Sequence, residues 1–261
     1  MINYPSASEA TPLIIVGPQR SGTRFVTNVL NAVPGVTLQG EIADSIIRYL
    51  MKVATQGDRL YAQSERTKRG KYWEKTKRDF MFTAWGNLSK ENRVEPDPSC
   101  FFYGYKTPYH EVYFDFYNTF FAPVRPKYVC CVRSFLGHYF SVHARWPKRS
   151  ILRISLRYVY SLRQLRYMKK TRPEDVLFFF LDDYKRLGFQ YLQERLFAPL
   201  GLQDTAAAKR IAAQGPMNSS AQLGLRKEDT LRPRQKLILS LYPQAEREYR
   251  ALHREFGGTL Q

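Results

Sequence analysis

The hydrophobic positions fall into two kinds of run. Short, nearly continuous apolar runs lie at residues 12–16, 36–39, 101–105, 127–132 and 176–181. Each has the length of a strand and lacks polar alternation, the pattern of strands buried on both faces. Between them, apolar residues recur every three or four positions over 22–33, 42–53, 108–121, 151–169, 184–200 and 233–256, and a further helix begins at Ser134. That period is helical. Pro34-Gly35 closes the first helix, and Pro108 suits the first position of its own. Residues 57–95 are polar and rich in Lys and Arg, with scattered aromatics such as Trp73, Phe82 and Trp85. They read as a helical insertion, followed by a loop carrying Pro96 and Pro98.

Strands alternating with helices predict an α/β fold, a central, mostly parallel sheet flanked by helices in three layers. The length of 261 residues suits one domain spanning the chain. In such sheets ligands bind beyond the carboxyl ends of the strands. The loops after Val16, Leu38, Tyr105 and Val132 are therefore expected to converge on one site.

Composition adds three points. The hydrophobic share is 44% and the charged share 25%, which are globular values. No apolar run is long enough to span a bilayer, and no leader pattern opens the chain, so the expected location is cytoplasmic. The three cysteines, Cys100, Cys130 and Cys131, read as buried free thiols. The net charge of +18 favours anionic ligands. Its densest part, Arg145 to Arg172, reads as a solvated helix face, with a polyanion site as the competing reading.

The chemistry begins at Ile14-Ile15-Val16-Gly17-Pro18-Gln19-Arg20-Ser21-Gly22-Thr23-Arg24. A strand, a tight loop and a helix start leave backbone N–H groups free to bind phosphate. Gly17 and Gly22 have the spacing of a nucleoside-triphosphate loop, but Thr23 stands where that loop needs Lys. The cation, Arg20, lies inside the loop instead. A second motif is Tyr128-Val129-Cys130-Cys131-Val132-Arg133, a strand ending in Arg, with Ser141 eight residues further on. A guanidinium can grip phosphate with two bonds and a hydroxyl can add a third.

Together these motifs resemble the sulfotransferases that use 3′-phosphoadenosine 5′-phosphosulfate (PAPS). The resemblance covers the first 150 residues well and the rest in outline. It implies a three-layer P-loop fold. It also implies a 5′-phosphosulfate site at Arg20, Ser21, Gly22, Thr23 and Arg24, and a 3′-phosphate site at Arg133 and Ser141. Phe135 departs from the family, which often has Pro there. The implied reaction moves a sulfuryl group to an acceptor hydroxyl on a glycan, lipid, phenol or tyrosyl group, releasing adenosine 3′,5′-bisphosphate. It needs no metal.

For the base, Glu41 follows the second strand, as in the protein-tyrosine and several bacterial branches. The cytosolic branch uses a His after Lys-Thr, and this chain has Lys106-Thr107-Pro108. His110 is the fallback. A plain helix-start acid is the other reading of Glu41. Lys106 and Arg20 are expected to stabilise the transferring sulfonate. Asn218, Ser219, Ser220 and Arg226 are weaker candidates for closing over the nucleotide. The acceptor is a small molecule, glycan or peptide, and no nucleic-acid partner is expected. Two competing functions are a P-loop kinase-like phosphotransferase and a non-enzymatic polyanion or nucleic-acid binder.

Overall fold

A computed structural model describes residues 10–62, 68–90, 94–95, 97–215 and 230–257. The predicted Asn218, Ser219, Ser220 and Arg226 lie outside them. The five apolar runs form strands β1 (Thr11–Val16), β2 (Val36–Gln39), β3 (Phe102–Lys106), β4 (Lys127–Val132) and β5 (Val176–Phe180). They make one parallel sheet in the order β2-β3-β1-β4-β5. Parallel strands buried on both faces account for the lack of alternation.

Helix α1 (Thr23–Asn31) crosses from β1 outward to β2. After β2 come α2 (Asp44–Ala62) and α3 (Lys68–Leu88), packed against each other, with α3 also against β3. A short 3-10 turn (His110–Tyr113) and α4 (Phe114–Phe121) then return the chain across β1 to β4. The connections leave β1 and β3 in opposite directions. Right-handed crossovers therefore put helices on both faces, and a crevice opens at the carboxyl ends of β1 and β4.

Beyond β4 lie α5 (Phe135–Arg145), α6 (Ile151–Thr171), α7 (Leu181–Leu187), α8 (Phe189–Leu192), α9 (Ala206–Ala213), α10 (Pro233–Leu241) and α11 (Gln244–Phe256). Several differ from expectation. The helix after β2 runs nine residues past Val53, to Ala62. The helix expected at 184–200 starts at Leu181 and breaks at Gly188, continuing as α8 and a π turn. The helix expected at 233–256 is two helices, because Pro243 follows Tyr242 and forces that residue out of helical geometry.

Phe82 and Trp85 of the insertion meet Tyr103, Tyr105 and Phe121 in the core. Trp85 lies 5.0 Å from Tyr105 and 5.4 Å from Phe121, and Phe82 lies 4.9 Å from Tyr103. All of these are fully buried. They hold the insertion to β3 and are not available to line an acceptor cleft. The three cysteines are buried and free. Among the described residues, no helix is long and apolar enough to cross a membrane.

Candidate active site

The loop after β1 is shaped by its glycine. Gly17 has φ 128°, and a Cβ there would lie 2.2 Å from the Cys131 carbonyl oxygen of β4. Only glycine allows the loop to leave the sheet so close to its neighbour. Arg20 takes left-handed backbone, φ 63°. Gly22 is the N-cap of α1, with no side-chain cap and no acidic residue in the first turn. The positive end of the helix is thus open toward the crevice. The buried Ser21 hydroxyl donates to the Pro18 carbonyl and closes the loop on itself. Thr23 is buried, and its carbonyl accepts from Thr27 at 2.8 Å. Arg24 is half-buried on the first turn.

The loop after β4 delivers Arg133. Ser134, the N-cap of α5, donates its backbone N–H to Asp182 Oδ2 at 2.6 Å. Phe135 holds the first helical position and is buried against Tyr139 and Tyr158. The turn that the family often makes with Pro is therefore fixed here by a carboxylate and an aromatic anchor. The Arg133 side chain lies against Gly137, where a Cβ would come within 2.7 Å of Nε. That Nε is buried without a hydrogen-bond partner among the described residues.

The two motifs touch. Arg20 Nε donates to Ser141 Oγ at 3.0 Å. Burial lowers the Arg20 pKa first, and the positive charges of Arg133 and Arg145 add to it. Burial also lowers that of Arg133, against the opposing pull of Asp182. Cations gathered in a partly buried crevice make a site for an anion.

Glu41 and Lys106 form a second pair. Lys106 Nζ donates to Glu41 Oε1 at 2.6 Å; the Lys side chain is 3% exposed and that of Glu41 42%. The lysine therefore orients a carboxylate that stays partly open to solvent. The neighbouring backbone is tied down too. Ile42 N–H donates to Thr107 Oγ1 at 3.0 Å, and Gln39 exchanges two hydrogen bonds with the Val94 backbone. His110 lies elsewhere, buried, with Nδ1 3.1 Å from the Tyr105 hydroxyl and its pKa pushed down to about 4 by burial. Among the described residues, no three His, Cys, Asp or Glu side chains gather as a metal site would need.

The basic stretch divides in two. Arg149 donates to Gln19 of the loop after β1 at 3.2 Å, and Arg157 covers the Tyr109 ring at 3.8 Å. Further along α6, Arg163 and Arg166 pair with Glu248 of α11, and Arg166 and Lys170 with Glu255. The first half faces the crevice and the second is compensated by α11. Arg145, Arg149 and Arg157 belong to the basic stretch read from the sequence, but which of its residues face the crevice, and the part of Tyr109, have no sequence pattern. A left-handed Tyr and an Arg on a helix carry no local signal of what they face.

The fold has counterparts among solved structures. The sulfotransferase domain of the Synechococcus PCC 7002 olefin synthase superposes with a TM-score of 0.55 at 14% identity, covering 99% of this chain and 100% of that one. The fold is that of the sulfotransferases. Sulfotransferase STF9 from Mycobacterium avium gives a TM-score of 0.54 at 12% identity, over 97% of this chain and 78% of that one. At such identities the likeness concerns the sulfotransferase fold alone. No protein-family model and no curated protein matches the sequence.

Proposed function

We propose that the protein is a PAPS-dependent sulfotransferase. The observation that carries this reading is the bond from Arg20 to Ser141, beside Arg133, at the switch point of the sheet. It joins two anion sites into one, as a nucleotide with phosphate-type groups at both ends requires. The residues fit such a group: an uncapped helix start, three neighbouring guanidinium groups, and a buried Arg133 Nε without a partner among the described residues. Arg20 to Arg24 would hold the 5′-phosphosulfate, and Arg133 with Ser141 the 3′-phosphate.

When bound, PAPS supplies the sulfuryl group; its S–O bond to phosphate breaks as the acceptor oxygen bonds to sulfur, and adenosine 3′,5′-bisphosphate leaves. Glu41 takes the acceptor's proton. Lys106 orients Glu41, and its ammonium, with the Arg20 guanidinium, stabilises negative charge spread over the sulfonate and the leaving phosphate. Glu41 is favoured over His110 because it is exposed at the mouth, whereas His110 is buried and bonded to Tyr105. The acceptor is a hydroxyl compound, and the cations of Arg145, Arg149 and Arg157 at the rim favour one that carries negative charge.

The test is transfer of label from radioactive PAPS to a panel of hydroxyl acceptors. It is paired with thermal-shift titrations of adenosine 3′,5′-bisphosphate, ATP with Mg²⁺, and a DNA duplex. Stabilisation by the bisphosphate alone is expected. Stabilisation by ATP–Mg²⁺ or DNA instead would overturn the reading.

A further inference from the structure

Beneath the β1 loop lies a carboxyl group that the reaction does not use. Glu111 is 2% exposed, on the short turn after β3. The Ser161 hydroxyl of α6 donates to its Oε1. The Gly17 backbone N–H faces the same carboxyl from the loop. Its Oε2 is buried with no partner of full hydrogen-bond geometry among the described residues. A residue two positions earlier completes a clamp: Tyr109 N–H donates to the Gly17 carbonyl at 3.0 Å, and the Tyr109 hydroxyl faces the backbone of Gln19. The N–H and the C=O of Gly17 are thus both addressed from Tyr109 to Glu111. The charged and titratable groups around the carboxyl are Arg157 of α6, Cys130 of β4 and Tyr109 of its own segment.

We infer that Glu111 is a positioning residue: its buried acceptor oxygens hold the first peptide of the anion-binding loop, and its ionisation opposes anion binding there. The inference rests on the cofactor reading above. An acceptor is needed at this place because a buried N–H or O–H without one is costly. Either charge state of Glu111 keeps an acceptor oxygen, and so does Gln. Only the ionised form sets a negative charge under the anion. Burial pushes the Glu111 pKa up to about 7, while Ser161, the Glu111 and Gly17 N–H groups and Arg157 pull it back. A bound anion raises it further, so cofactor binding takes up a proton.

The experiment measures the affinity for adenosine 3′,5′-bisphosphate by calorimetry from pH 6 to 8.5, in wild type, Glu111→Gln, Glu111→Ala and Ser161→Ala. Thermal unfolding of each variant reports folding. Glu111→Ala is expected to weaken binding roughly tenfold at pH 6, the equivalent of one lost buried hydrogen bond, and by less above pH 7, where it also removes the opposing charge. Glu111→Gln is expected to match wild type at pH 6 and to bind more tightly above pH 7. The wild-type to Gln ratio cancels the ligand's own titration. Ser161→Ala, which removes a donor to the carboxylate, is expected to move the midpoint of that pH dependence upward. Should Glu111→Ala fail to fold, the Gln ratio and the Ser161→Ala midpoint still decide. A pH-independent wild-type to Gln ratio, or a folded Glu111→Ala that binds as wild type does at pH 6, overturns the inference. A wild type that binds no bisphosphate at any pH overturns the cofactor reading itself.

Discussion

Arg20 and Ser141 lie 121 positions apart in the chain and 3.0 Å apart in space. The bond crosses from the loop after β1 to the middle of α5, and it aligns a guanidinium with the Arg133 side of the crevice. Arg20→Ala and Arg133→Ala are each expected to weaken binding of adenosine 3′,5′-bisphosphate by roughly ten- to a hundredfold, the usual worth of a charge-assisted hydrogen bond. Ser141→Ala should cost less. A double-mutant cycle of Arg20 and Ser141 should show coupling, and additive losses would mean that the bond does not shape the site.

Glu41→Gln should leave bisphosphate affinity unchanged and lower turnover by about 10²–10⁴, the range for a lost general base. Lys106→Met should lower turnover as well, since it removes the donor that orients Glu41. Stopped-time assays at saturating PAPS separate the two quantities. Full turnover in Glu41→Gln would move the base elsewhere.

Gly17→Ala tests the loop's exit from the sheet. The added methyl group would meet the Cys131 carbonyl, and φ 128° is strained for alanine. Strain and overpacking together should cost about 3 kcal/mol, or roughly 6–12 °C in Tm for a chain of this size. A Tm change under 2 °C (about 0.5 kcal/mol) would show that β4 yields easily.

Phe135→Pro places the residue common in the family at a position whose backbone suits it, since Ser134 is extended at ψ 144°. Its ring is nevertheless buried against Tyr139 and Tyr158. Loss of that packing should destabilise by about 2–4 kcal/mol. A neutral or stabilising result in thermal melts would mean that the turn, not the ring, limits this segment.

Stability should fall with acidification below about pH 6.5, where a free imidazole begins to protonate. Burial pushes His110 down to about 4 and His138 to about 3. The unfolded chain therefore binds more protons than the folded one across that window, which favours unfolding as pH falls. Glu111 acts in the opposite sense: with its folded pKa raised to about 7, it gains stability on acidification down to the ordinary carboxylate range. Two imidazoles against one carboxyl leave a net loss. Melts between pH 7 and pH 4.5 should show it, and His138→Phe should flatten the slope.

Much of this arrangement is legible in the sequence. Continuous apolar strands announce a parallel sheet, and a parallel sheet puts Arg20, Glu41, Lys106 and Arg133 at one end. The partners of these residues are not legible. Glu111 has the spacing of a surface acid on a short helical turn, and only the packing of α6 over the loop buries it. Aromatics spaced as Trp85 and Tyr105 are more often core than ligand cleft, and tertiary contact makes these two core. The division of the basic stretch depends on Glu248 and Glu255, nearly a hundred residues downstream, whose approach to α6 has no local signature.

The register of β1 and β4 has one more consequence. Val16 pairs with Cys130, so the two loops leave from adjacent strands at a fixed offset. Neighbouring strands lie about 4.8 Å apart, and the hydrogen bonds between them scarcely stretch. In the proposed function the sheet thus acts as a ruler: it sets how far apart two anionic groups must be on one ligand to be gripped together. Discrimination among nucleotides would then be by length before any contact with a base, and side-chain changes at the rim could alter the acceptor without changing the measure.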